Sequence, residues 1–476
     1  MRLRSALTLL ALSLGTMSSV GATGCGGAQE SARAPMADKW FQRAKVSYKN
    51  GDFDDARQSA ASALKEAPND TEVRVLAARI ALMRLDYPEA LKMLQGVAGT
   101  EAAGLRGRAN WYAGNLEAAA DDLETALRDP AVKDPWARDV ASLARRGMGR
   151  HPYSLDGNLI GKVEMPRAGS ALIVPCELEG EQILAMVATA NGEVVVDSTS
   201  RREPAWVNLS FDGVDIKDVP ARTQDLSGLS RQLGAPIKAL LGSNLLRHAH
   251  ATFDRRGDQF VVRRHEATAP PDSARVPLWY VPDGGLLMRA TVSPKEDGNA
   301  LLLVDSSQSY LVALNNPAWQ KANVDAKTIR PEPELQNMKT GSLPVFRLGT
   351  FDLPMLPAVQ GIPNDSTKGA TDVDLGGVLG AGLIAVFRVT FSDEGRYAWL
   401  EPDPAMNPNA QKAGPPPSAP PPEGAPPAPP VTKPGDKPAD KPFKLTPPKG
   451  VAPGGGKPDA AKVPGQPAKP ASADKK

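Results

Sequence analysis

Two long stretches of this chain repeat each other, and the repeat unit of over 100 residues is a duplicated domain, far too long for a solenoid unit. Residues 235–262 and 375–400 align without a gap from Ala239 and Gly377 onward. Leu241, Gly242, Leu245, Thr252, Phe253 and Gly257 recur as Leu379, Gly380, Leu383, Thr390, Phe391 and Gly395. Upstream, Asp215-Ile216 and Pro220-Ala221 recur as Asp352-Leu353 and Pro357-Ala358. Farther upstream, residues 184–196 (LAMVATANGEVVV) match 301–313 (LLLVDSSQSYLVA).

These residues resemble the retropepsin-like aspartic proteases. In each lobe of that family an apolar strand ends in Asp-Thr-Gly, and a later apolar-apolar-Gly element leads into Leu. Leu240-Leu241-Gly242 and Val378-Leu379-Gly380 match the later element, with Gly242 and Gly380 as its loop glycines. The first element is degenerate in both copies, reading Ala188-Thr189-Ala190 and Asp305-Ser306-Ser307. The resemblance covers roughly residues 160–400. It implies two small closed sheets, lobes 160–265 and 275–401, with Gly242 and Gly380 near a pseudo-two-fold axis.

The chemistry of that family needs two carboxylates. Like charges about 3 Å apart cannot both ionise, so one acts as base and the other as acid. With Ala188 in one lobe, Asp305 is a remnant without a partner. Ala190 and Ser307 also add a Cβ where glycine lets backbone approach closely. A second register stays open, because Val194-Val195-Val196-Asp197-Ser198 is also an apolar strand ending in Asp-Ser. Asn191-Gly192 would then turn a hairpin between 184–190 and 193–197, and Asp197 would face Asp305 in a live endopeptidase. A homodimer bringing two copies of Asp305 together is a further route to activity. Spacing favours Ala188, which follows Ala171 at nearly the interval by which Asp305 follows Leu286, whereas Asp197 lies well beyond it. Taken alone, Asp-Ser-Ser is an ordinary turn cap; the duplicated context is what places Asp305 in a cleft. Lobe two also carries about 20 extra residues between Asn315 and Pro344, a loop over that cleft or plain surface decoration.

Residues 35–148 are alanine-rich and read at helical period. The stretch 48–70 (YKNGDFDDARQSAASALKEAPND) resembles the second half of a tetratricopeptide repeat: Gly51 closes one helix, Asp52-Phe53 open the next, Ala56 and Ala63 let the pair touch, and Pro68 ends the unit. The frame recurs at 84–94 and 112–130. Ala56 to Ala90 matches the period of about 34 residues that this repeat shows, and the step from Ala90 to Ala119 is shorter. Each helical hairpin has an apolar face it cannot bury alone, so stacking is expected. Trp111-Tyr112 are expected between helices, residues 137–148 as a capping helix, and 149–159 as a linker. The repeats are expected to dock a protein or peptide partner, or to act as a spacer.

The ends differ in kind. Met1-Arg2-Leu3-Arg4, then an apolar run from Ala6 to Leu14, reads as an export signal over 1–24, too short to span a bilayer. Ala22-Thr23-Gly24-Cys25-Gly26 resembles a bacterial lipoprotein cleavage site, which implies acylation of Cys25, a membrane anchor and a short linker at 25–34. Ala22 stands where that family usually has Leu. Gly26 after the cysteine suggests the outer membrane, facing the periplasm. From 402 to 476 the chain is dominated by Pro, Ala, Gly and Lys, with almost nothing to bury, and should be a disordered spacer; weak contact with anionic cell-wall polymer is its functional alternative. Cys176 has no internal partner and falls in an apolar alternation, as a core filler. His248 and His250 alternate on an expected strand.

A net charge of +2 implies no nucleic acid. No phosphate loop, zinc spacing or nucleophile elbow occurs, so neither cofactor nor metal is expected. The expected fold is multidomain: an α-helical tetratricopeptide-type solenoid, two all-β retropepsin-like lobes and a disordered tail. The expected function is a cell-envelope lipoprotein acting as a protein-binding or scaffold protein with a degenerate protease cleft, the alternative being an active aspartic endopeptidase.

Overall fold

Seven helices fill the first third of the residues that the computed structural model describes, which are 33–402 apart from 168, 296–297, 332–337 and 363–371. The expected signal peptide, Cys25 and the tail beyond Pro402 lie outside the described residues. The helices are α1 (Pro35–Lys49), α2 (Phe53–Glu66), α3 (Thr71–Met83), α4 (Tyr87–Leu94), α5 (Thr100–Tyr112), α6 (Leu116–Leu127) and α7 (Pro135–Arg146). Four of them begin at an aspartate whose carboxylate accepts the N–H three residues on: Asp52 from Asp55, Asp70 from Val73, Asp86 from Glu89 and Asp134 from Ala137. Each such cap is worth about 1 kcal/mol. Ala56, Ala63, Ala90 and Ala119 are wholly buried, as close helix contact requires. The turns fall at Gly51 (φ +72°) and Gly114 (φ +79°). Both lie in the left-handed region that glycine enters without a Cβ clash.

The first lobe contains β1 (Ser154–Gly157), β2 (Ile160–Glu164), β3 (Ile173–Leu178), β4 (Glu181–Val187), β5 (Val194–Asp197), β6 (Ala205–Phe211), β7 (Val214–Gln224), α8 (Ser227–Leu233), β8 (Ile237–Leu241), α9 (Ser243–His248), β9 (Thr252–Asp254) and β10 (Gln259–Arg263). Strands run β1-β7-β5-β8-β4-β3-β6, and β6 pairs back with β7, so the sheet closes into a barrel. The inward faces are Val and Leu at period two, as half-buried strands require. Cys176 is one of these core residues, and burial pushes its thiol up to about 12.

Three local expectations are corrected. Strand β8 lies between β4 and β5, so Asn191-Gly192 does not turn a two-strand hairpin. His248 ends helix α9 and stacks on Tyr153 at 4.5 Å between ring centres, while His250 sits at φ +43° beyond it; neither is on a strand. The expected linker contains β1, paired with β7.

The second lobe contains β11 (Ala274–Pro277), β12 (Trp279–Tyr280), β13 (Leu286–Thr291), β14 (Asn299–Asp305), β15 (Val312–Leu314), α10 (Asn316–Ala322), β16 (Arg330–Pro331), β17 (Lys339–Leu343), β18 (Arg347–Leu348), β19 (Phe351–Asp352), β20 (Leu356–Gln360), β21 (Gly377–Gly380), α11 (Ala381–Ile384), β22 (Phe387–Ser392) and β23 (Tyr397–Pro402). Its order β20-β15-β21-β14-β13 repeats β7-β5-β8-β4-β3 of the first lobe. Among the described residues, the extra segment of lobe two holds α10 and the short pair β16–β17.

The lobes join in a six-stranded sheet, β11-β23-β22-β9-β10-β2. At its centre β9 and β22 are antiparallel with Thr252 opposite Thr390, and their hydroxyls are 2.9 Å apart. Since each is the other's repeat counterpart, the pseudo-two-fold axis passes between them. Phe253 and Phe391 meet edge to face beside them.

The helical module docks on the lobes. Phe41, Tyr48 and Phe53 share one apolar cluster with Trp279, Leu287 and Leu301 of lobe two. The N–H of Asp374 donates to the Lys49 carbonyl at 2.7 Å, and Arg79 pairs with Asp372. On the other side, Trp206 donates to the Leu143 carbonyl at 3.0 Å and Arg222 pairs with Asp139 at 2.9 Å.

Candidate functional site

The ends of β4 and β14 meet where the repeat alignment places its first element. Thr189 donates its hydroxyl to the Val304 carbonyl at 2.6 Å, and Ser306 donates its hydroxyl to the Val187 carbonyl at 2.7 Å. Each hydroxyl also accepts the other residue's N–H, at 3.1 Å in both directions. Thr189 and Ser306 are fully buried, so these four bonds are shielded from water. The arrangement is reciprocal: residue for residue, Ala188 stands in lobe one where Asp305 stands in lobe two.

The residues around it obey the same symmetry. Parallel pairing sets Val187 beside Leu241 and Val304 beside Leu379. The N–H of Ser243 donates to the Asn191 carbonyl, and that of Ala381 to the Gln308 carbonyl. A methyl at Gly242 would run into the carbonyls of Gly192 and Glu193, and one at Gly380 into that of Tyr310. Both glycines therefore serve close backbone approach, with φ of −77° and −93°. Ala190 and Ser307 have no positive φ, so their Cβ atoms are accommodated without left-handed strain.

Asp305 turns its carboxylate to its own loop. It accepts from the Ser307 N–H at 3.0 Å, the Ser307 hydroxyl at 2.6 Å and Gln308 Nε2 at 3.2 Å. Ala188 is buried and offers only a methyl. Asp197 is elsewhere, at the far end of β5. Burial would raise its carboxyl, but hydrogen bonds from the Thr199 hydroxyl, the Leu226 N–H and Lys238 outweigh that and hold it below the usual carboxylate range. All of these partners belong to lobe one, and among the described residues no hydrogen bond joins Asp197 to Asp305.

The sequence reading missed Glu193. It follows Asn191-Gly192, which looks like a solvated turn, yet its side chain is buried. It accepts the indole N–H of Trp111 at 3.0 Å and of Trp136 at 2.7 Å, and Asn244 Nδ2 at 3.3 Å. Burial pushes its carboxyl up to about 7 against the pull of the indole donors. The one local hint was its place directly before the buried run Val194–Val196. Trp111 and Trp136 thus do more than pack between helices: they bind the module to the loop that follows Ala190. The module's own face, made by α1, α3 and α5, encloses a hollow of about 640 Å³ whose rim includes Lys45, Lys49, Arg79 and Asp372.

The tetratricopeptide repeat family matches residues 47–103. Among solved structures, the chain is similar to the Arabidopsis OM64 TPR domain, with 18% identity over 23% of this chain and 92% of that one and a TM-score of 0.21. It is also similar to the aspartic proteinase from Irpex lacteus, with 10% identity over 51% of this chain and 97% of that one and a TM-score of 0.35. No curated protein matches the sequence.

Proposed function

We propose that this chain is an exported, lipid-anchored envelope protein that binds a protein partner through its helical repeats and holds a protease-shaped cleft without peptidase turnover. The observation that carries the catalytic half is the Thr189–Ser306 lock, which leaves a methyl at Ala188 where the second carboxylate would have to stand. Asp305 is bound into its own turn, and among the described residues no hydrogen bond joins it to the second carboxylate that acid–base attack by water requires. The partner-binding half is supported by the repeat match over 47–103 and by the hollow on the α1, α3 and α5 face. Lobe two covers the adjoining part of the module, so the partner reaches the remaining open face. The anchor at Cys25 rests on the sequence of the export segment.

The test uses the intact chain. An unfolded protein substrate is incubated with it at pH 4–6, beside Asp305→Asn. No cleavage by either protein is expected; cleavage by the parent that Asp305→Asn abolishes would overturn the reading. In parallel, Cys25→Ala should lose incorporation of labelled palmitate in a bacterial host, and persistence of the label would refute the anchor. For partner binding, in-cell crosslinking through the hollow is compared with Lys45→Glu/Lys49→Glu; a crosslinked protein lost in that variant supports docking, and none in the parent removes it.

A further inference from the structure

A cavity of about 300 Å³ lies at the seam between the end of α5, residues 150–153 and helix α9 of lobe one. It is separate from the Thr189–Ser306 lock and from the hollow on the module, and neither reading above uses it. One wall is Arg247, a residue 4% exposed. A guanidinium has five N–H donors. Here, among the described residues, only Nε has a hydrogen-bond partner, Asn244 Oδ1 at 3.0 Å. The ring of Tyr87 lies 6.0 Å from the guanidinium carbon, and the stem of the side chain packs on Gly395. No carboxylate touches this buried cation among the described residues.

A second polar group in the wall lacks a partner. Tyr153 is 9% exposed, and its hydroxyl is buried with no hydrogen-bond partner among the described residues. The backbone there is at φ +59°, and the ring stacks on His248. Such a conformation is unusual for a tyrosine. Among the described residues no acidic side chain lines the cavity; Arg150 and His151 do. Arg150 is already paired with Asp218. The nearest buried carboxylate, Glu193, is reached from Arg247 only through Asn244 and already accepts from both tryptophans. It is therefore a poor counter-ion for the guanidinium.

We propose that this cavity is a binding site for a small aromatic carboxylate, its two oxygens taken by the free N–H groups of Arg247 and the hydroxyl of Tyr153. The planar fork of a guanidinium matches a carboxylate better than a point charge does. The indole of Trp111 and the ring of Tyr112 supply the apolar flank for a ring. The volume lies at the small end of ligand-holding clefts, enough for a single ring and its acid group.

The test is calorimetric titration of the mature, intact protein with benzoate, benzamide and inorganic phosphate. Benzoate should bind saturably, and benzamide, which matches its shape without its charge, about tenfold or more weakly. Arg247→Gln should lose at least about tenfold in benzoate affinity. Because that variant removes a core side chain and could misfold, Tyr153→Phe is the second arm. It deletes only the hydroxyl, so benzoate affinity should fall several-fold while the ligand-free melting temperature stays the same or rises. Absence of saturable benzoate binding, equal binding of benzamide, tighter binding of phosphate, or unchanged benzoate affinity in Tyr153→Phe would each overturn the proposal.

Discussion

Trp136 donates its indole N–H to Glu193 across 2.7 Å, so the last helix of the solenoid and the loop beside the inter-lobe lock share one carboxylate. The folded value of about 7 lies above the unfolded 4.5, so Glu193 favours folding most below the unfolded value. That contribution is lost as pH rises through about 7, a change on the order of 3 kcal/mol. In urea unfolding, the stability difference between the parent and Glu193→Gln should therefore shift by that amount between pH 4 and 8. A difference independent of pH would show that the carboxylate is not held protonated.

Glu193→Ala leaves three buried donors, from Trp111, Trp136 and Asn244, without an acceptor. A loss of about 3–5 kcal/mol is expected. The tryptophan emission of the folded protein should change as well, since two indoles lose their partner.

Thr189→Val keeps the shape of the side chain and deletes its hydroxyl, stranding the Val304 carbonyl and the Ser306 N–H. The expected cost is about 2–4 kcal/mol. Because the lock is reciprocal, Thr189→Val and Ser306→Ala should be non-additive in a double-mutant cycle. Strict additivity would mean the two hydroxyls act independently.

Ala188→Asp places a second carboxylate in a buried position across from Asp305. Desolvation and the neighbouring charge should raise its folded pKa. The variant should lose roughly 2–4 kcal/mol at neutral pH and recover much of it at about pH 4, where the folded group is protonated and the unfolded one about half so. Denaturation at the two pH values checks this.

Gly51→Ala meets two obstacles, a φ of +72° and the side chain of Leu301 in lobe two at 2.9 Å from the added methyl. Gly114→Ala meets only the first, since nothing lies within 4 Å there at φ +79°. Backbone strain of about 1–2 kcal/mol is common to both. The excess cost of Gly51→Ala then measures how tightly the module sits on lobe two, and equal costs would mean a loose junction.

The sequence carried the parts of the fold that repeat. Gly242 with Gly380, Thr252 with Thr390 and the step from Ala56 to Ala90 are visible because identical physical demands recur at a fixed offset. The residues between repeats were harder. Ser154–Gly157 has the look of a linker since its pairing partner, Val214–Lys217, lies far along the chain. His248 and His250 mimic strand alternation because a helix as short as α9 cannot show its period. Glu193 stayed hidden for a different reason. What makes a carboxylate buried there is a pair of indoles from other helices, and no local pattern encodes such a meeting.

At two levels the lobes meet through hydroxyls: Thr189 with Ser306 at one, Thr252 with Thr390 at the other. None of these bonds involves an acid. A carboxylate at the tip of β4 can thus be absent without loosening either contact, which leaves the way the two halves meet independent of any acid pair.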